Sequence, residues 1–138
     1  MINKNVLVNT GLLVLRIGIG VIFIIHGLPK LMGGLETWTQ LGSTMSMVGI
    51  SFAPAFWGFM AAAAEAIGGA FIILGLLHRP VALMLLFTMI IAVFTHVASG
   101  DPFAVYSNAL KGLVVFMALV ITGPGKFSLD YNFFKTIS

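Results

Sequence analysis

The sequence predicts an all-α integral membrane protein, a four-helix bundle, and three observations carry that prediction. Hydrophobic residues make up 59% of the chain and charged residues only 8%, with a mean hydropathy of +1.11. Soluble domains carry about 25% charged residues, so this chain cannot cover a globular surface with polar groups. Its apolar runs are continuous rather than alternating, which selects helices over a membrane β-barrel. Four such runs, each able to cross roughly 30 Å of hydrocarbon, are separated by turn signals. At 138 residues the chain is expected to form a single domain, 1–138.

The first span is expected at about 6–31, interrupted by Asn9, Thr10, Arg16 and His26 and ended by Pro29, Gly33 and Gly34. The stretch that follows, 32–53, contains Trp38 and is too polar to cross. It suits an interfacial loop or a short helix lying in the interface. The second span covers about 54–77 and stops at His78-Arg79-Pro80. Pro80 fits the first turn of the third span, 80–98, because its missing N–H does no harm there. Ser99-Gly100-Asp101-Pro102 is a turn. The fourth span, 105–122, ends at Gly123-Pro124-Gly125.

Small residues mark the packing faces. Gly58, Ala62, Ala66 and Ala70 form one row on the second span, and Ala61, Glu65 and Gly69 an adjacent one. Glu65 therefore belongs to a contact face. The seven Lys and Arg residues are scattered, with no basic stripe for a nucleic acid. As topology markers, Lys4, Arg79, Lys126 and Lys135 collect at one end and Lys30 stands alone at the other. Both termini are therefore expected to be cytoplasmic. The absence of cysteine removes disulfides and thiolate metal sites. The N-terminal apolar stretch is too long for a cleaved signal and carries Arg16.

Arg16, Glu65, His96 and Lys111 are the informative residues, because each sits in an apolar run. A charge at the bilayer centre costs about 2.5–3.5 kcal/mol on insertion scales. At about 1.5 Å per residue, Arg16 and Glu65 both fall near the midplane of adjacent antiparallel spans. A structural ion pair Arg16–Glu65 is therefore expected. His26, His96, Asn108 and Lys111 fall in a second layer near the outer end, with Lys30 four residues from His26 on one helical face. Lys111 has the alternative of snorkelling to the surface.

Two imidazoles at one depth can ligate a haem or a metal, but two histidines are few and no carboxylate lies within a turn of either to orient them. Asp101, in the turn after His96, is the nearest in sequence, and no metal site is assigned. A quinone head group suits an apolar bundle better, its carbonyls accepting from His or Lys while His and Glu handle protons. The expected ligand-binding set is His26, Lys30, Glu65, His96, Asn108 and Lys111, with no catalytic residue assigned. No nucleophile–base set or phosphate loop is present.

Three blocks of the chain resemble a known family. Leu15-Arg16-Ile17-Gly18 through Phe23, His26-Gly27 and Lys30-Leu31 look like the opening of DoxX-type membrane proteins. Glu65, Gly68-Gly69 and Leu74-Gly75-Leu76-Leu77-His78-Arg79-Pro80 look like their second helix and its exit. Gly123-Pro124-Gly125-Lys126-Phe127-Ser128-Leu129-Asp130 is similar to their C-terminal signature. The resemblance implies a multi-pass bundle in the bacterial inner membrane, with Arg16, His26, Lys30, Glu65 and His96 as its polar set. It also implies links to quinone-coupled oxidation of reduced sulfur compounds and to oxidative-stress complexes. Family members often carry a Glu early in the fourth helix, where this chain has Ser107-Asn108 and then Lys111.

The function expected is a redox-associated inner-membrane subunit, part of a quinone-linked oxidoreductase, that binds a quinone or similar lipophilic ligand within its bundle. The alternative is a non-enzymatic structural or partner-docking protein of a larger complex. A b-type haem binder and a small transporter rank below both. Expected partners are membrane lipids, a lipophilic small molecule and a redox protein, and the chain could also form a homo-oligomer. No nucleic acid is expected.

Overall fold

The computed structural model of the protein describes residues 3–135, with no strand among them. In chain order the helices are α1 (Lys4–Met32), α2 (Gly34–Ser43), α3 (Pro54–Leu74), α4 (His78–Ala98), α5 (Phe103–Thr122) and α6 (Leu129–Lys135). A 3₁₀ turn, Thr44–Val48, follows α2. The four long helices, α1, α3, α4 and α5, are each long and apolar enough to cross a membrane. The protein is an integral membrane four-helix bundle. The short helices lie at opposite ends, α2 between α1 and α3, and α6 beneath the end that holds both termini.

Local chemistry explains the helix ends. Pro29 removes one N–H from the last turns of α1, yet the helix continues to Met32, as membrane helices tolerate. The end of α3 is a Schellman motif: Gly75 adopts φ +64°, and the Leu76 N–H donates to the Phe71 carbonyl at 3.0 Å. That stops the helix at Leu74, three residues before the expected 77. The following helix begins at His78 rather than 80, because a distant carboxylate supplies its cap. Asp130 accepts from the Leu77 N–H at 2.8 Å and from the His78 N–H at 2.7 Å.

Between membrane helices there is no water to expel, so close backbone approach and dispersion drive association. Gly20 of α1 meets the Gly69 carbonyl of α3, and a Cβ on Gly27 would run into Glu65 and Ala66. These contacts set the α1–α3 register. The predicted interfacial segment contains α2, which crosses α3 backbone to backbone. A Cβ on Gly58 would strike the Trp38 carbonyl. The core gathers Phe23, Ile72, Leu85, Phe116 and Leu119 at the centre, where Phe23 and Phe116 meet edge to face at 4.7 Å. Helix α3 packs most closely on α1 and α2, and α4 on α5; the seam between α3 and α4 is much thinner.

Candidate functional site

The upper part of that thin seam opens into a cavity of about 350 Å³, within the range of small-molecule sites. Met60, Phe87 and Ile91 furnish apolar walls; Leu41, Gly42, Thr44 and Met45 close the α2 end; Lys30, Glu65 and His96 bring charge and polarity. Lys30 Nζ donates to both oxygens of Glu65, at 2.6 and 2.9 Å. Glu65 is almost fully buried, with only 5% of its side chain exposed against 36% for Lys30. A carboxylate so placed needs its cation. Gly27 creates this pair by letting α1 lie directly on the backbone of Glu65. Trp38 then holds the end of α1 in place, its Nε1 donating to the Lys30 carbonyl at 3.1 Å.

His96 is built by a second Schellman motif. Gly100 adopts φ +75°, which a side chain would resist, and the Asp101 N–H donates back to the His96 carbonyl at 3.0 Å. This fold-back places Asp101 Oδ2 2.7 Å from His96 Nδ1. An ionised carboxylate only accepts, so the ring N–H donates, leaving Nε2 as an acceptor on the neutral ring. In sequence Asp101 is merely the nearest carboxylate to His96; the αL glycine turns it into a partner.

Other polar groups on the wall are already engaged. The Thr44, Thr88 and Thr95 hydroxyls each donate to a carbonyl within their own turn. One donor is left over: Trp57 Nε1 is buried and has no partner, and Trp57 lines the cavity. An orphan buried N–H costs about 1–3 kcal/mol, so it marks where an acceptor belongs. Sequence reasoning passed Trp57 by, because an aromatic at a helix start reads as an interface anchor.

The structure thus gathers three of the six expected ligand residues, Lys30, Glu65 and His96, around one cavity. His26, Asn108 and Lys111 are not in it. All three are exposed on the outward faces of α1 and α5, and His26 Nδ1 bonds the Ile22 carbonyl of its own helix at 2.9 Å. His26 therefore does not share the cavity that His96 lines. Among the described residues no group of three or more His, Asp or Glu side chains is placed to hold a metal ion.

The expected Arg16–Glu65 pair does not form. Depth counting assumes that neighbouring helices start in one plane, but α1 overhangs α3. With Gly20 against Gly69, Arg16 falls level with Gly75, beyond the end of α3. There it is fully buried and donates from Nη2 to the Phe127 carbonyl. Asp130 lies within its electrostatic reach, and His78, also fully buried, is beside it. The segment between α5 and α6 closes over this cluster, pinned by the Asn9 side chain, which accepts from the Lys126 N–H at 2.6 Å. The molecule has two polar centres, an open one at the α2 end and a sealed one at the termini end.

Comparison with known proteins agrees with this architecture. The DoxX family profile matches residues 11–98, from α1 to the end of α4, which includes Lys30, Glu65 and His96. A Bacillus subtilis (strain 168) protein named "Putative oxidoreductase CatD" is 35% identical over 128 residues, covering 91% of this chain and 88% of the relative. An Escherichia coli (strain K12) protein named "Inner membrane protein YphA" is 35% identical over 132 residues, covering 86% and 87%. No solved structure matches the chain significantly. With the profile spanning well over half the chain and two such relatives, the chain belongs to the DoxX family.

Proposed function

We propose that this protein is a redox-associated subunit of the bacterial inner membrane that holds a quinone or similar lipophilic ligand in the α3–α4 cavity. The observation that carries the reading is the content of that cavity. A mostly apolar space of ligand size is edged by a buried Lys30–Glu65 pair, a His96–Asp101 pair and the unpartnered Trp57 N–H. A flat ring with carbonyl acceptors suits it: Trp57 or Lys30 donates to a carbonyl while Met and Phe side chains cover the faces. Quinone redox chemistry moves protons along with electrons, and the His96 imidazole, held by the Asp101 carboxylate, is the group in this wall placed to pass one. Electrons would come from a partner protein. The name of the Bacillus relative, an oxidoreductase, supports the same class. Both termini are assigned to the cytoplasm, because Lys4, Arg79 and Lys126 are exposed at their end.

The test is thermal stability of the purified protein with a tailless benzoquinone. A rise in melting temperature for the wild type, reduced in His96→Ala, is expected. No rise, or an equal rise in His96→Ala, overturns the reading. One observation favours a partner-docking role alongside it. His26, Asn108 and Lys111 point away from the bundle within spanning helices, where polar groups usually meet protein rather than lipid.

A further inference from the structure

Below the polar cavity, the same thin seam continues as a second space of about 300 Å³ running toward the α3–α4 turn. The two spaces adjoin, and Met60, Ala64 and Met84 line both. The second is bordered by Ala63, Ile67, Gly68 and Phe71 on α3, by Leu77 just before α4, and by Pro80 and Val81 on α4. Among its lining residues none has a polar side chain. From Met60 to Phe71 the groove follows α3 for roughly 16 Å at about 1.5 Å per residue.

We infer that the ligand is an amphiphile with a single long apolar tail, its head among Lys30, Glu65, His96 and Trp57 and its tail in the α3–α4 groove. This rests on the proposed reading of the upper cavity and specifies its ligand class. The direction of exit decides it. Leu41, Gly42, Thr44 and Met45 roof the upper cavity at the α2 end, so a tail has no route past them. Toward the other end the wall stays open: Met84 is 44% exposed and Ile67 52%. The small side chains of Ala63, Ala64 and Gly68 leave a furrow where larger ones would close the seam. Polarity also changes abruptly, from two ion-paired sites above to none below. That is the shape of a head and a tail, and a tailless ring would leave the lower space unused. The tail would reach the site sideways from the bilayer, through the open flank of the seam.

The test uses the full chain in lipid nanodiscs and a quinone carrying a diazirine near the end of its apolar tail. After photolysis, adducts should map to residues 60–71 and 77–84. They should be suppressed by excess tailless quinone and lost in Ala63→Trp or, at an already exposed position, Ile67→Trp. Adducts spread as densely over the outward faces of α1 and α5 overturn the inference, as do adducts that tailless quinone fails to suppress. The two readings fail differently. If tailless quinone stabilises the wild type while adducts scatter, the tail groove alone is wrong. If tailless quinone neither stabilises nor competes, the cavity reading falls with it.

Discussion

The two polar centres use similar residues to opposite ends. At the termini end, Arg16 and His78 are fully buried, Ser128 nearly so, and a folded-back segment closes over them. At the α2 end, Lys30 and His96 keep over a third of their side chains exposed beside a cavity. Unpartnered buried polar atoms occur at both ends, Trp57 Nε1 here and Arg16 Nε, Arg16 Nη1 and both His78 ring nitrogens there. In the sealed centre the named contacts go to backbone. Arg16 donates to the Phe127 carbonyl, and Asp130 accepts from two N–H groups at the start of α4. In the open centre the contacts are between side chains. Charge that terminates on backbone fixes where helices end; charge that terminates on charge beside a cavity is free to respond to a ligand.

Four substitutions would break or sharpen this contrast. The largest effect is expected for Lys30→Met, which strands the buried Glu65 carboxylate and should cost about 3 kcal/mol, at the low end for a broken buried pair. Adding Glu65→Met should restore most of that stability while tailless-quinone binding stays lost. Unfolding titrations and ligand-induced shifts on the two variants check both halves. Next, Asp130→Ala leaves two N–H groups of α4 uncapped and should cost about 2 kcal/mol. The folded fraction should still bind the quinone with wild-type affinity; weakened binding would show that the two centres are coupled.

Asp101→Asn should move stability by less than ~1 kcal/mol, as for an exposed ion pair. It should nevertheless weaken quinone binding about tenfold, or ~1.4 kcal/mol, by releasing the tautomer of His96. Equal binding in a titration would reduce the His96–Asp101 contact to a turn decoration. The smallest effects belong to His26→Phe and Lys111→Leu, each within ~0.5 kcal/mol and with unchanged quinone binding. A loss of binding in either would return those residues to the site.

Helix number and approximate spans were legible because apolar runs broken by Gly and Pro leave little choice of architecture. The family blocks were legible for the same reason: they are continuous in sequence. The small-residue row on α3 also read correctly as a contact face. What could not be read was rotation and stagger. His26 and Lys30, four residues apart, differ by only about 40° around the helix, yet Lys30 reaches Glu65 of α3 while His26 is exposed on the outer face. Arg16 was misplaced because α1 begins well before its neighbour ends, and no local signal records that overhang. Asp130 as the cap of α4 was hidden too, since nothing in the 77–80 stretch names a partner so far along the chain. Asp101 was recoverable in part: a glycine at a helix end, here Gly100, is the signature of a chain folding back on its last turn, which returns the next residue, Asp101, toward His96.

The cap of α4 bears on how the protein is made. His78 receives its acceptor from a residue 52 positions later. During synthesis α4 is therefore handed to the membrane with its first amides unsatisfied, and α5 must follow before the acid that satisfies them exists. The fold is closed from its far end, after all four crossings have been made. A ribosome stalled between α5 and Asp130 would leave a chain with every span inserted and the clasp still open.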